Sequence, residues 1–233
     1  MNLESRAIFR MYLITAMVIS FCGCGEESKP VKPDDRITVT DIDGNVYQAV
    51  TIGTQVWMAE NLKVTHYRNG EPIDQVADDS LWSVATTGAY CNYDNDEENV
   101  GTYGRLYNWL AVTDGRNIAP EGWHVPSDAE WQILDDYLGG NAVAGGKMKE
   151  ADTSHWFPPN EGATNESGFT ALPGGRRGET GMYGGMGGNA GFASVTEYRD
   201  WGFRNRTLHS HDAGSHRFVG IKQQGLSVRC VRD

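Results

Sequence analysis

From Gly139 to Gly191 glycine interrupts this chain again and again, with doublets at Gly139-Gly140, Gly145-Gly146, Gly174-Gly175, Gly184-Gly185 and Gly187-Gly188. A glycine inside a helix costs ~1 kcal/mol relative to alanine, so 29 glycines in 233 residues disfavour a helical bundle. No Gly-x-y period is present, so the excess does not mark a collagen-like rod either. Glycine serves tight turns and close backbone approach, which means short elements joined by many loops. Hydrophobic residues at 39% and charged residues at 22% leave enough apolar surface for a packed core.

The charge balance narrows the partners. With 31 acidic and 20 basic side chains the net charge is −11. Sequence-independent nucleic-acid binding needs Lys and Arg to displace phosphate counterions, and docking on anionic lipid needs a basic face. Neither is expected here.

The N-terminal residues point to a compartment. Arg6 and Arg10 precede the apolar run from Met11 to Phe21, which is too short to span a bilayer but suits the h-region of a signal peptide. The run ends in Phe21-Cys22-Gly23-Cys24, which resembles a bacterial lipobox with Cys24 as the lipidated residue. Residues 24–35 are polar, contain Pro30 and Pro33 and show no hydrophobic period, as in an extended tether. The expected organisation is a signal peptide over 1–23, a tether over 24–35 and one domain over 36–233. Gly25 and the Glu26-Glu27 pair resemble sorting signals of outer-membrane, surface-exposed lipoproteins, so membrane contact is expected through the lipid anchor only. In such an oxidising location the isolated Cys91 and Cys230 pair reads as a disulfide, with two reduced, buried thiols as the alternative.

Local patterns suggest both strands and short helices. Residues 36–62 read as a three-strand meander punctuated by Asp43-Gly44 and Gly53-Thr54. Leu106, Trp109, Leu110 and Val112 share one side at helical spacing, which predicts a helix over 105–112. Ser127 and Glu130 form a capping box ahead of Trp131, Leu134 and Leu138, and Gly139 supplies the stop. Residues 160–191 read as a long irregular loop, and Leu226, Val228 and Cys230 as one face of a closing strand.

Several phrases occur in a familiar order: Asp41-Ile-Asp-Gly-Asn-Val-Tyr47, Gln55-Val-Trp-Met-Ala-Glu-Asn-Leu62, Gly104-Arg-Leu-Tyr-Asn-Trp109 and Gly122-Trp-His-Val-Pro-Ser-Asp-Ala-Glu-Trp131. Ala144-Gly-Gly-Lys-Met-Lys149, Asn165-Glu-Ser-Gly-Phe-Thr-Ala-Leu-Pro-Gly-Gly175 and Leu226-Ser-Val-Arg-Cys-Val-Arg-Asp233 follow. Together they resemble the Fibrobacter succinogenes major paralogous domain family over 37–233. Proteins of that family are typically Bacteroidota or Fibrobacterota surface lipoproteins without an established activity, and the family is similar to the C-type-lectin-like and formylglycine-generating-enzyme folds. The resemblance implies an α+β fold of C-type-lectin-like form, with short helices around small twisted antiparallel sheets and long Gly-rich loops. Ala193 departs from the pattern, standing where the family usually has Trp.

The chemistry implied is mainly that of binding. The formylglycine enzymes need a closely spaced Cys pair near the C-terminus, whereas Cys230 stands alone there. The tripeptides by which C-type lectins coordinate calcium and sugar are absent. Asp94, Asp96 and Glu98 crowd oxygen donors as a calcium loop would, but the run lacks the glycine and final glutamate of a full motif. His209 and His211, two apart on a strand, would share a face as metal ligands. Trp82, Trp156 and Trp201 fall outside the family phrases and are the aromatic candidates for stacking on a sugar, although Trp82, with Tyr90 and Tyr93, also reads as a buried anchor of the loop-rich 69–104 segment. The expected function is adhesion, glycan capture or envelope assembly by a non-catalytic domain, with a glycan or surface protein as partner and no cofactor. The alternative is a divergent metal-dependent hydrolase using His209, His211, Asp212 and His216.

Overall fold

The computed structural model describes residues 37–233; the expected signal peptide, tether and Cys24 lipidation site lie outside the described residues. The expected meander is present as β1 (Ile37–Thr40), β2 (Val46–Ile52) and β3 (Gln55–Met58), paired antiparallel in sequence order. The first turn is organised by one carboxylate. Asp41 accepts from the backbone N–H groups of Asp43 and Asn45 and takes the Tyr47 hydroxyl at 2.6 Å, while Gly44 supplies the positive φ that a side chain would resist.

Short elements follow: β4 (Asp74–Gln75), α1 (Asp79–Ser83), β5 (Ala89–Cys91), α2 (Glu98–Tyr103), β6 (Leu106–Tyr107) and α3 (Trp109–Val112). The helix expected over 105–112 is therefore half strand. Asn108 decides the boundary, because its side-chain oxygen caps Ala111 and also accepts from the Ala89 backbone across the sheet. Then come β7 (Trp123–His124), α4 (Asp128–Tyr137) and α5 (Ala144–Met148). Helix α4 carries the expected capping box, with both reciprocal bonds formed between Ser127 and Glu130.

The irregular loop expected over 160–191 contains a hairpin, β8 (Gly174–Arg177) with β9 (Tyr183–Met186). Gly175 is there for close approach: a Cβ on it, at φ +67, would lie 2.6 Å from the Tyr93 ring and 2.7 Å from the Met186 nitrogen. The chain ends with β10 (Asn189–Tyr198), β11 (Gly202–His209), β12 (His216–Ile221) and β13 (Val231–Arg232). Three mainly antiparallel sheets result, in orders β1-β2-β3-β13-β7, β12-β11-β10-β8-β9 and β4-β5-β6. The fold is mixed, with sheets dominating and the helices short.

The C-terminal segment joins the three sheets. Leu226 exchanges backbone hydrogen bonds with Tyr107 of the third sheet, Ser227 bonds Gly191 and Ala193 of the second, and Val228 and Cys230 accept from Leu62 and Met58 beside the first. Its side chains alternate as expected: Leu226, Val228 and Cys230 enter one apolar cluster with Tyr47, Tyr107 and Phe203, and Val231 enters another with Trp57, Trp131 and Phe192. Ala193 is buried in the first cluster, and its carbonyl receives the Trp131 indole N–H.

Cys91 and Cys230 are free thiols rather than the expected disulfide. Cys91 lies on β5 in a small cluster with Trp82 and Leu106, while Cys230 lies beside β3 in the main cluster. They sit in separate parts of the core.

Buried cations hold the irregular backbone. Carbonyls outside a ladder must still find donors when removed from water, and a cation offers several at once. The Lys149 ammonium, fully buried, donates to the carbonyls of Glu161, His209 and Asp212 at 2.8–2.9 Å; burial lowers its pKa to about 8. Arg177 donates to Gly181, Val76 and Ala77 carbonyls and to Asp79, its guanidinium lying against the rings of Trp82 and Tyr183. Arg206 reaches Asp128 and Asp135.

Candidate functional site

Strand β11 divides its side chains between two environments. Arg206 and Leu208 point into the molecule, toward the α4 carboxylates and the second apolar cluster respectively. Asn205, Thr207 and His209 alternate onto the other face and line a cleft of about 170 Å³. Register supplies its walls: Asn189 stands opposite His209, Gly191 opposite Thr207, and Phe218 opposite Asn205. Arg176 from β8 and Gln224 from the segment after β12 complete the polar lining, and Leu226 lies at its base. Gly191 keeps that base open, since a Cβ there would lie 2.9 Å from Leu226 Cδ2.

His209, which lines the cleft, also belongs to a group of imidazoles beside it. The His209 ring centroid is 5.1 Å from those of both His211 and His216, and 6.2 Å from Phe218. Asp212 holds the group: its carboxylate is 2.9 Å from His216 Nε2, 3.5 Å from His211 Nε2, and accepts the Gly214 backbone N–H at 2.7 Å. Behind it, Lys149 fixes the His209 and Asp212 carbonyls. Nδ1 of His209 is 2.7 Å from the Asn189 side-chain oxygen, so a neutral ring donates there and leaves Nε2 as an acceptor. Burial lowers the His209 pKa, His216 adds to the effect, and Asp212 opposes it. Burial tends to raise that of Asp212, but His216 and the Gly214 N–H bring it below the usual carboxylate range.

These imidazoles do not form the metal centre that His209 and His211 suggested. Their rings are nearly parallel, at 24°, so their in-plane lone pairs do not converge on a common point, and His209 Nδ1 and His216 Nε2 already have partners. Among the described residues no three His, Cys, Asp or Glu side chains are arranged to hold a metal ion. Asp94, Asp96 and Glu98 are exposed around a tight turn, where Asp96 accepts the Glu98 backbone N–H at 2.9 Å. They form a local turn, not a cage.

The aromatic candidates separate by burial. Trp82 is buried against Arg177, and Trp156 is buried beside Lys149 with its indole N–H on the Ala171 carbonyl at 2.9 Å. Trp82 is thus the buried anchor that it was expected to be, and neither ring is free to stack on a sugar, because each covers a buried cation. Trp201 is 46% exposed, edge-on to Tyr198 at the β10–β11 turn, the far end of β11 from His209. The sequence reading missed Phe218, Asn205, Thr207, Asn189 and Arg176. The alternation Asn205, Thr207, His209 was the available signal, hidden by treating the 205–216 region as a histidine turn.

The family model described as Fibrobacter succinogenes major domain matches residues 50–232, and the chain belongs to that family. No curated protein and no solved structure matches it.

Proposed function

We propose that this member of the Fibrobacter succinogenes major domain family is a non-catalytic recognition protein, tethered to the bacterial surface by a lipid on Cys24, whose cleft on β11 binds a glycan. One observation carries the reading: Phe218, 47% exposed, stands beside a row of planar and hydroxylic polar side chains, Asn189, Asn205, Thr207 and Gln224, in one sugar-sized hollow. Sugars present an apolar face to an aromatic ring and equatorial hydroxyls to amides, which both donate and accept. The C-type-lectin-like character inferred from the sequence phrases belongs to the same reading, since such a frame carries recognition in loops on a compact scaffold. A fold does not by itself assign the function.

The hydrolase alternative draws on the gathering of His209, His211, Asp212 and His216. It is the weaker reading, because no carboxylate lines the cleft to act as a general acid or base and the His209 and His211 rings are stacked rather than aimed at a common point.

A glycan array followed by calorimetry on the chain carrying Cys22→Ser and Cys24→Ser tests the binding role. Retention of a glycan that Phe218→Ala and Asn205→Ala both abolish, with thermal unfolding unchanged, is the expected result. Equal retention by the variants would refute the cleft as the site. For the anchor, Cys24→Ser alone should move the protein out of the membrane fraction; continued membrane association would refute lipidation there.

A further inference from the structure

The cleft has a charge pattern unlike that of the rest of the chain. The protein carries 31 acidic residues, and three other surface hollows each include carboxylates: Asp41 and Glu121 in one, Asp128 and Asp136 in a second, Glu166 in a third. None lines the cleft on β11, whose charged or protonatable members are Arg176 and His209.

Arg176 is also uncommitted. Its neighbour Arg177 makes four hydrogen bonds to backbone carbonyls and Asp79. Arg68, Arg105, Arg116, Arg206, Arg217 and Arg229 are likewise engaged by carbonyls, amides or carboxylates. Arg176 is exposed on β8, opposite Gly184, and among the described residues its guanidinium has no hydrogen bond, ion pair or aromatic partner. A planar fork of donors, left free at the edge of a hollow without carboxylates, matches a carboxylate of the ligand in a bidentate pair. Asn189, Asn205 and Thr207 lie across the same hollow and suit hydroxyls.

We infer that the ligand is an acidic saccharide, a sugar bearing a carboxylate that pairs with Arg176 while its ring lies against Phe218; this rests on the glycan-binding reading above. The same net negative charge that repels polyanions at long range is screened within about a Debye length in physiological salt, so short-range pairing at Arg176 selects the ligand.

The test uses calorimetry on the full chain carrying Cys22→Ser and Cys24→Ser. The probes are oligomers of galacturonate, glucuronate and mannuronate, each beside its carboxyl-reduced neutral counterpart. One acidic oligomer should bind, and its neutral counterpart should bind roughly ten- to a hundred-fold more weakly, the range expected for one charge-assisted bidentate pair. Arg176→Ala should lower the affinity of the acidic oligomer by a similar factor and leave the neutral one unchanged, with Arg176→Lys recovering part of the loss. Equal affinity for acidic and neutral forms, or an Arg176→Ala variant that binds the acid as before, overturns the acidic-sugar inference and leaves the glycan reading standing. Binding of the acid that depends on Arg176 but is untouched by Phe218→Ala overturns it too, because the cleft would then read the carboxylate and not the sugar. Failure of every saccharide, charged and neutral, overturns both.

Discussion

The guanidinium of Arg229 lies 4.2 Å from the centroid of the Phe169 ring and donates a hydrogen bond to that residue's own carbonyl oxygen. It also reaches the Asn61 side-chain oxygen and the Thr170 carbonyl, and the Phe192 ring centroid is 5.4 Å away. The group is fully buried and desolvation lowers its pKa to about 9. What it stabilises is a loop: Asn165, Thr170 and Gly168 have positive φ, so the 165–170 backbone follows no ladder and needs outside donors.

Arg229→Met should therefore destabilise the fold by about 3 kcal/mol or more, since it leaves buried acceptors without donors. Arg229→Lys should recover little, because a single ammonium lacks the planar fork that meets separated acceptors. Urea unfolding should show a lower midpoint with an unchanged slope. A midpoint within error of the parent would show that the 165–170 loop is held by other contacts.

Two helical glycines should respond in opposite directions to alanine. Gly145 in α5 packs so closely on the β11–β12 loop that a Cβ would stand 1.9 Å from the Gly214 carbonyl oxygen, whereas a Cβ on Gly101 in α2 meets nothing within 4 Å. Gly145→Ala should cost ~1–3 kcal/mol as overpacking and displace the Asp212–His216 turn beside the cleft. Gly101→Ala should stabilise by ~0.5–1 kcal/mol through helix propensity and a less disordered unfolded state. Paired melting curves decide; a stable Gly145→Ala variant would mean that the 213–214 loop yields freely.

His124 ties the C-terminus to α4. Its Nδ1 is 2.6 Å from Asp233 and its Nε2 2.7 Å from Glu130, the residue that closes the capping box. Burial pulls the ring's pKa down, but the bonds to Asp233 and Glu130 outweigh it and raise it above the ordinary 6.5. A raised folded pKa means that the stabilisation is complete below pH 6.5 and is lost as pH rises through the folded value. Unfolding free energy should thus decline from pH 6.5 upward, and His124→Gln should flatten that decline. The amplitude should be small and fall with salt, since the ring is partly exposed. An identical pH profile in the variant would remove His124 from the account.

Much of this architecture was legible because it is local. The meander follows from alternation and two glycine turns, and α4 follows from Ser127, Glu130 and the Trp131–Leu138 spacing. Trp57 and Trp131, which lie inside the family phrases, meet in the core with their rings 4.7 Å apart. What could not be read was set by distant partners. Nothing near Arg177 in sequence announces that it holds carbonyls about a hundred residues away, at Val76 and Ala77, so Trp82 could be read as a buried anchor but not as the cover of a buried guanidinium. The cleft was obscured for the same reason, because Arg176, Asn189, Asn205 and Phe218 meet only through sheet register.

The cysteines give the last prediction. Both thiols are fully buried and burial raises both pKa values, so little thiolate is present at neutral pH. Cys91 is paired through its backbone to Leu106 in the third sheet, while the Cys230 carbonyl receives the Met58 N–H beside the first. On the chain with Cys22→Ser and Cys24→Ser, purified without reductant, a thiol reagent should find no reactive group in the native state. After unfolding in guanidinium it should find two. A count of zero in both states would mean that the pair is oxidised after all, and that the segments bearing Cys91 and Cys230 approach one another in solution. Prompt reaction of one thiol in the native state would instead mean that its cluster opens, which is most readily imagined for the smaller group around Trp82, Ala89, Tyr93 and Leu106.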